Sequence, residues 1–394
     1  MRSFKLLFVF VLLASCISRP PASTVIDRIE AEFCQTETFK VDADFSGANM
    51  ASCAIVSDRT IAIVLKPEDV PINHSPWYAV RLTPHQAGDV QLVLRYEEHP
   101  HRYKPKTSVD GESWTLISDD CVNIGSAGFE VTLKLTLDSD PVFVSAQELI
   151  TNEKHDAWMD AQATLSHVDD RVIGTSIENR PIRLLETNDR LVGEKTVLLV
   201  GRQHPPEVTG AFAMRSFTDE VLGTSELART FRAQFKIYMI PNLNPDGVEH
   251  GHWRHNLGGI DLNRDWGPFT QPETQAAKTV IDAIQDDGLK LFLDFHSTSK
   301  NVFYTQPLGN DGTEYDFTAQ WLERAGSQLE DYPFDRQGAH NVDLPTSKNY
   351  IFERFGIPAI TYELGDNTDR EQIAETARIF AQEMMILLLE EEGA

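Results

Sequence analysis

The stretch that decides the fold is MIPNLNPDGVEHGHWRHNLGGIDLNRDW, Met239 to Trp266. It opens as the end of an apolar strand, FKIYMI (235–240), and breaks at Pro241. Beyond that point it is rich in Asn, Asp, Gly, His and Arg and offers little to a core. Long polar loops inside a compact α/β segment are uncommon, and those that exist usually carry function. Two arginines stand out, Arg254 and Arg264, the second within Asp261-Leu262-Asn263-Arg264. A guanidinium donates two parallel hydrogen bonds from a planar fork, which suits a carboxylate or a developing oxyanion. A surface loop laced with structural ion pairs would look the same in isolation, so the flanking sequence has to decide.

Downstream and upstream of this loop, apolar strands alternate with helix signals. The strands are TVLLVG (196–201), KLFLDF (290–295) and IPAITY (357–362), with FKIYMI among them. Thr209 can cap a helix running to Leu222, and Thr270-Gln271-Pro272-Glu273 has capping-box spacing ahead of AAKTVIDAI. SAQELITNEKHDAWMDAQATL is compatible with a helix, GTSIENRPIRLLE (174–186) reads as a hairpin-like strand pair, and DREQIAETARIFAQEMMILLL supplies a long terminal helix. Buried strands separated by helices predict an α/β domain over 146–394, a mostly parallel or mixed sheet with helices on both faces. Residues 26–145 have a different texture. Period-2 runs such as TIAIVLKP (60–67), WYAVRLTP (77–84), DVQLVLRYEE (89–98) and GFEVTLKLTL (128–137) predict an antiparallel β-sandwich. That region shows no clustered His, Cys or carboxylate set, so its expected role is structural or recognitive.

With 394 residues, 41% of them hydrophobic, the chain can bury a large core in two domains. A formal net charge of -25 argues against nucleic acid and against an anionic membrane surface as partners. The first residues read as an address. A short basic start (Met1–Lys5) and an apolar run from Leu6 to Ala14, too short to span a bilayer, precede Leu13-Ala14-Ser15-Cys16. This resembles the lipobox of bacterial lipoproteins, with residues 1–16 as signal peptide, Cys16 lipidated and 17–25 as a tether. An ordinary cleaved signal peptide is the alternative. Either reading exports the chain to the periplasm or cell envelope, with any membrane contact made only through a lipid anchor. Cys34, Cys53 and Cys121 then allow at most one disulfide, its pairing open.

The polar residues fall at strand ends. His204 and Glu207 follow TVLLVG, the Asn242–Arg264 loop follows FKIYMI, His296 follows KLFLDF and Glu363 follows IPAITY. In open α/β sheets ligands bind beyond the carboxyl ends of the strands. His204-Pro205-Pro206-Glu207 with His296 makes a two-imidazole, one-carboxylate set suited to one zinc ion, leaving a fourth position open. Glu363, unnecessary for packing, can serve there as a general base. Arg254 and Arg264 supply cations for a carbonyl oxyanion and a substrate carboxylate. Zinc, base and two arginines describe hydrolysis of an amide next to a free carboxylate.

The ordered set SIENRPI, His204-x-x-Glu207, NPDG (244–247), DLNRDW (261–266), FHS (295–297) and TYE (361–363) resembles the zinc carboxypeptidases of the carboxypeptidase A type over 150–394. The resemblance implies zinc ligands His204, Glu207 and His296, a carbonyl-polarising Arg254, a terminal-carboxylate site at Asn263 and Arg264, and Glu363 as general base. WRHNLGGIDLNR, with SPWYAVRL and YKPKTSVDGESW upstream, looks most like the cytosolic, deglutamylating branch with its N-terminal sandwich. The export signal prevents that branch's tubulin-type substrates from being carried over. Two departures appear. Pro206 stands where the carboxypeptidase A pattern has Arg before the Glu ligand. The family's flexible tyrosine has no clear match, and Tyr350 is expected to be helical and turned away. By the same resemblance, a residue about fifteen positions before the base reads the terminal side chain; here that is Lys348 or, allowing a one-residue gap, Asn349. Thr346 or Ser347 as N-cap and Gly356 as stop put Lys348 in a first helical turn. An ammonium facing the pocket would favour substrates ending in Glu, Asp or the second carboxylate of a cell-wall diaminopimelate. A zinc-dependent N-acyl amino acid deacylase and a non-catalytic peptide-binding protein are the alternative functions. Oligomeric state is not legible.

Overall fold

The computed structural model describes residues 33–189, 195–285, 287–307 and 316–393. The signal-peptide reading, Cys16 and the tether lie outside the described residues. The N-terminal part contains strands β1 (Phe33–Gln35), β2 (Phe39–Asp42), β3 (Ser52–Ser57), β4 (Thr60–Leu65), β5 (Ala79–Pro84) and β6 (Gly88–Tyr96). It continues with β7 (Lys106–Ser108), β8 (Thr115–Leu116), β9 (Val122–Ile124), β10 (Glu130–Leu137) and β11 (Val142–Ser145). They form a six-stranded sheet, β1-β2-β5-β11-β7-β8, and a five-stranded sheet, β3-β4-β6-β10-β9. Alternate residues of the two sheets share one core, among them Val41, Val80 and Leu82 against Ile61, Leu92 and Val131. This is the period-2 burial the sequence predicts. One pair departs from the antiparallel pattern, because β4 and β6 run parallel, Thr60 opposite Gln91. Cys34 and Cys53 are joined by a disulfide, and Cys121 is free.

The second part contains α1 (Asn152–Ala163), β12 (Val168–Thr175), β13 (Pro181–Thr187), β14 (Lys195–Gly201), α2 (Val208–Val221), α3 (Glu226–Arg232) and β15 (Phe235–Ile240). There follow α4 (Pro245–His250), α5 (Pro272–Asp282), β16 (Leu289–Thr298), β17 (Val302–Tyr304), α6 (Asp316–Ser327), β18 (Asp335–Gln337), α7 (Ser347–Phe355), β19 (Ala359–Gly365) and α8 (Arg370–Gly393). The eight-stranded mixed sheet has the order β12-β13-β15-β14-β16-β19-β17-β18. Its centre, β15-β14-β16-β19, is parallel throughout, and β12 with β13 forms a hairpin whose second strand is the one expected within 174–186, while the first lies mostly before it, from Val168. Val197, Leu199, Leu291, Leu293 and Phe295 face one apolar cluster with α2, α6 and α8. Leu198, Val200 and Phe292 face the other, beneath α5 and α7. By the same alternation Asp294 and His296 belong to the α7 side, and that parity places the chemistry.

Two capping expectations are corrected. The first turn of α2 has Glu207 at its N-cap position and Thr209 already inside. The Thr209 hydroxyl instead donates to Ser297 Oγ (2.7 Å). At α5 the N-cap position is Gln271, with no side-chain bond of its own. The Asp265 carboxylate takes the Thr270 and Gln271 amides (2.9 Å each), and Glu273 is buried against Asn256 Nδ2 (2.9 Å). A carboxylate from the preceding loop outcompetes the local box because it neutralises two amides at once. At α7 the expectation holds: Thr346 accepts from the Asn349 amide and Gly356 ends the helix at φ 67°.

Candidate active site

Every site residue inferred from the sequence within the described region lines one cavity of about 710 Å³: His204, Glu207, His296, Glu363, Arg254, Asn263, Arg264 and Lys348. The cavity opens beyond the carboxyl ends of β14, β15, β16 and β19, where the parallel centre of the sheet predicts it.

The geometry begins with a close approach. A Cβ on Gly210 would stand 2.6 Å from the His296 carbonyl oxygen, so only glycine lets α2 settle onto β16. The Gly210 amide donates to Ser297 Oγ at 2.8 Å, pinning the helix there. Glu207, at the head of this helix, is thereby carried to His296. His204 Nδ1 lies 2.8 Å from Glu207 Oε1 and 3.2 Å from His296 Nδ1, and His296 Nδ1 lies 2.6 Å from Glu207 Oε2. Donor atoms of the three residues fall within 4.8 Å of one another, the one such grouping among the described residues.

Each imidazole is held at its far nitrogen by a carboxylate. His204 Nε2 meets Asp261 Oδ1 at 2.9 Å, and His296 Nε2 meets Asp294 Oδ2 at 2.9 Å. Asp294 is fixed in turn by Gln203 Nε2 (2.6 Å) and the Ser347 hydroxyl. Such carboxylate-imidazole pairs fix ring orientation and raise ligand basicity. Burial opposes charge on His296, but Asp294 and Glu207 outweigh it and raise its pKa well above the usual value. Burial likewise opposes charge on Glu207, yet the two imidazoles hold its pKa down. Two buried carboxylates, Glu207 and Asp294, and the part-buried Asp261 around two rings call for a cation, and the N, N, O donor set fits zinc.

Glu363 stands beside His296 in register, because β16 and β19 pair in parallel. Its Oε2 is buried without a hydrogen-bond partner. Burial first, and then Glu207, push its carboxyl up to about 8, while His296 and Arg254 act in the other direction. Arg254 Nε donates to Asp261 Oδ2 at 2.7 Å, and its Nη1 lies 4.0 Å from Glu207. Asn263 accepts from the Ser347 amide (2.9 Å), and Arg264 lies alongside with Nη1 on the Asn263 carbonyl (2.7 Å). Lys348 is 3% exposed, held by the Thr305 carbonyl (3.3 Å) and Asn349 Oδ1 (3.0 Å). Burial lowers it to about 8. Tyr350 packs against Trp266 and Phe269, away from the cavity as expected.

Several residues in and behind the cavity wall escaped the sequence. Asp294 was legible in principle, two positions before His296 on the same strand face. Tyr304 and His340 stack at 3.8 Å on the cavity wall from segments with no motif. Ile72, Asn73, His74, Ser75, His99 and Arg102 line it from the loops that follow β4 and β6. His74 and His99 are 5.3 Å apart in space but twenty-five positions apart in the chain, so no local pattern betrayed them.

The zinc carboxypeptidase family model matches residues 155–383, more than half of the chain. The chain belongs to the zinc carboxypeptidase family. Its metal is therefore zinc, and His204, Glu207 and His296 are the donors that fit it. Among relatives, an uncharacterised protein of Zymomonas mobilis is 24% identical over 269 residues, 66% of this chain and 67% of that one. Cytosolic carboxypeptidase 6 of Mus musculus is 33% identical over 144 residues, 33% of this chain and 27% of the relative. Cytosolic carboxypeptidase 3 of Bos taurus is 23% identical over 338 residues, 75% of this chain and 32% of the relative. The chain thus spans about a third or less of these cytosolic carboxypeptidases. A metallo-carboxypeptidase structure from Burkholderia cenocepacia superposes with TM-score 0.76 at 22% identity, covering 91% of this chain and all of that one. One from Pseudomonas aeruginosa, in complex with (2-guanidinoethylmercapto)succinic acid, gives 0.73 at 20%, covering 89% and 99%. These establish the fold, N-terminal sheets included.

Proposed function

We propose that this protein is a zinc metallocarboxypeptidase that removes the C-terminal residue of peptides with a free terminal carboxylate, with acidic residues preferred. The observation that carries the reading is the partnerless Oε2 of Glu363, in register with His296 on the wall of a cavity that also holds Arg254, Asn263 and Arg264.

His204, Glu207 and His296 would hold zinc, which when bound supplies Lewis acidity toward the scissile carbonyl and the attacking water. Glu363, with a raised pKa and a free oxygen, accepts the proton of the attacking water and passes it to the leaving amine. Arg254 keeps Nε on Asp261, which leaves its remaining N–H groups for the oxyanion. Arg264 and Asn263 receive the terminal carboxylate. Lys348 has no charged partner in the contacts that hold it, so an acidic substrate side chain would supply the missing anion.

Export and a lipid anchor at Cys16 are part of the proposal and rest on the N-terminal sequence. The Cys34–Cys53 disulfide supports an oxidising compartment. The test is release of free amino acid from blocked peptides ending in Glu, Leu or Lys by the zinc-loaded chain. Faster release of Glu, abolished by amidating the terminus, is expected. Activity confined to N-acyl amino acids would transfer the site to a deacylase.

A further inference from the structure

The segment His252–His255 has no helix or strand to satisfy its backbone, yet it carries Arg254. Its amides converge on one side chain from the other half of the molecule. Glu68, just after β4, accepts from the Trp253 amide with Oε2 (2.7 Å) and from the Arg254 and His255 amides with Oε1 (2.8 and 2.5 Å). Three successive N–H groups around a carboxylate make an anion nest, and charge-assisted bonds of this length are the strong kind. The neighbours of Arg254 are taken up in the same region. Trp253 is fully buried in the core of the N-terminal sheets, and His255 Nδ1 lies 2.5 Å from Asp69 Oδ1. Just upstream, a Cβ on Gly251 would stand 2.6 Å from the Ala48 carbonyl, and Asn49 Nδ2 holds the Gly251 carbonyl at 2.7 Å. The Arg254 side chain turns into the cavity, where Asp261 takes its Nε and, through the other oxygen, His204. The arginine is therefore fixed at both ends: its main chain by Glu68, its guanidinium by Asp261.

We infer that Glu68 is a positioning residue for Arg254, so that the N-terminal sheets set the placement of the group that stabilises the transition state. This rests on the proposed role of Arg254 at the oxyanion. Glu68 touches no substrate; its effect passes through the backbone of 253–255. Glu68→Gln keeps the shape but replaces one acceptor oxygen by an amide group that faces an N–H. A displacement on the order of 1 Å at a catalytic group costs up to ~10²-fold in rate.

The experiment uses the full zinc-loaded chain and a blocked peptide ending in Glu, comparing wild type, Glu68→Gln, Arg254→Ala and the double variant. The single Glu68→Gln variant is expected to retain zinc and lose at least about tenfold in kcat while KM stays within about threefold, the pattern of a lost transition-state interaction. In the Arg254→Ala background the same change is expected to alter kcat by less than about twofold, because coupled residues are not additive. Hydrogen exchange of the 253–255 amides is expected to accelerate, with β14 and β16 unchanged. Should Glu68→Gln not fold, Glu68→Asp, which retracts the carboxylate by one methylene, is expected to give an intermediate loss of kcat. Wild-type kcat in a folded Glu68 variant, or an equal loss in both backgrounds, would overturn the inference. A wild-type rate for Arg254→Ala would fail the oxyanion reading itself and the inference with it, a pattern distinct from a normal Glu68→Gln beside an impaired Arg254→Ala.

Discussion

Glu363 and His296 are neighbours because two parallel strands pair in register, and Asp294 reaches the far side of the same imidazole because strand residues two apart share a face. The residue-scale consequences are specific. Glu363→Gln preserves shape and removes the proposed base, so zinc content should stay at wild-type level while kcat falls by at least ~10²-fold. Arg254→Ala should lower kcat by roughly 10²–10³-fold, as for loss of an oxyanion donor. Asp294→Asn should weaken zinc binding by roughly 10–100-fold, read by competition with a chelating dye. Lys348 gives a pH signature. Burial lowers it to about 8, so its ammonium is present below that pH and lost above it. The ratio of kcat/KM for Glu-ended over Leu-ended peptides should therefore fall as pH rises through about 8. Lys348→Ala should lower the ratio and flatten its pH profile. A Glu preference that survives the substitution would take Lys348 out of the specificity pocket.

At the scale of elements, the decisive contact is α2 upon β16. Gly210→Ala would push a methyl group into the His296 carbonyl, and the required backbone shift should destabilise the fold by about 1–3 kcal/mol. Because Glu207 rides on that helix, zinc affinity should fall in the same variant; thermal melts with and without added zinc would show both effects. What could be read from the sequence follows the same division. The apolar strands and their order of appearance were legible because buried parallel strands write continuous apolar runs, and His204, Glu207, His296 and Glu363 were legible because each follows such a run, whereas Lys348 was reached only through the family resemblance. The NPDG segment was legible as a motif but not as a structure. Asn244 caps α4 through the Gly247 amide (3.0 Å), and buried Asp246 binds Ser176 Oγ (2.6 Å), the Glu178 amide (2.9 Å) and Arg180 (2.7 Å) of the SIENRPI turn. The two motifs occur together because one holds the other. Helix caps were misread at Thr209 and Thr270, since both hydroxyls are claimed elsewhere: the first by Ser297, which only tertiary structure brings near, the second by Asp265 of the loop just before the helix.

At the scale of the whole molecule, the N-terminal sheets do more than precede the α/β part. Arg102 binds Asp366, just past β19, through Nε (2.8 Å) and Nη2 (3.2 Å) and lines the cavity. Val208 and Ala211 of α2 join the core of the same sheets as Trp253. The sequence assigned this region a structural or recognitive role, because its contributions to the cavity are single residues scattered over some thirty positions. The central claim is that one cavity combines a zinc site, the Glu363 base and a receptor for a free terminal carboxylate. It is tested most directly by mass spectrometry of a blocked peptide ending in Glu, and of its C-terminal amide, after incubation with the zinc-loaded wild type and with zinc-loaded Glu363→Gln. The account predicts loss of one C-terminal residue from the free acid by the wild type, at least ~10²-fold slower loss by Glu363→Gln, and no loss from the amide. Equal cleavage of acid and amide, or an undiminished rate in Glu363→Gln, would contradict it.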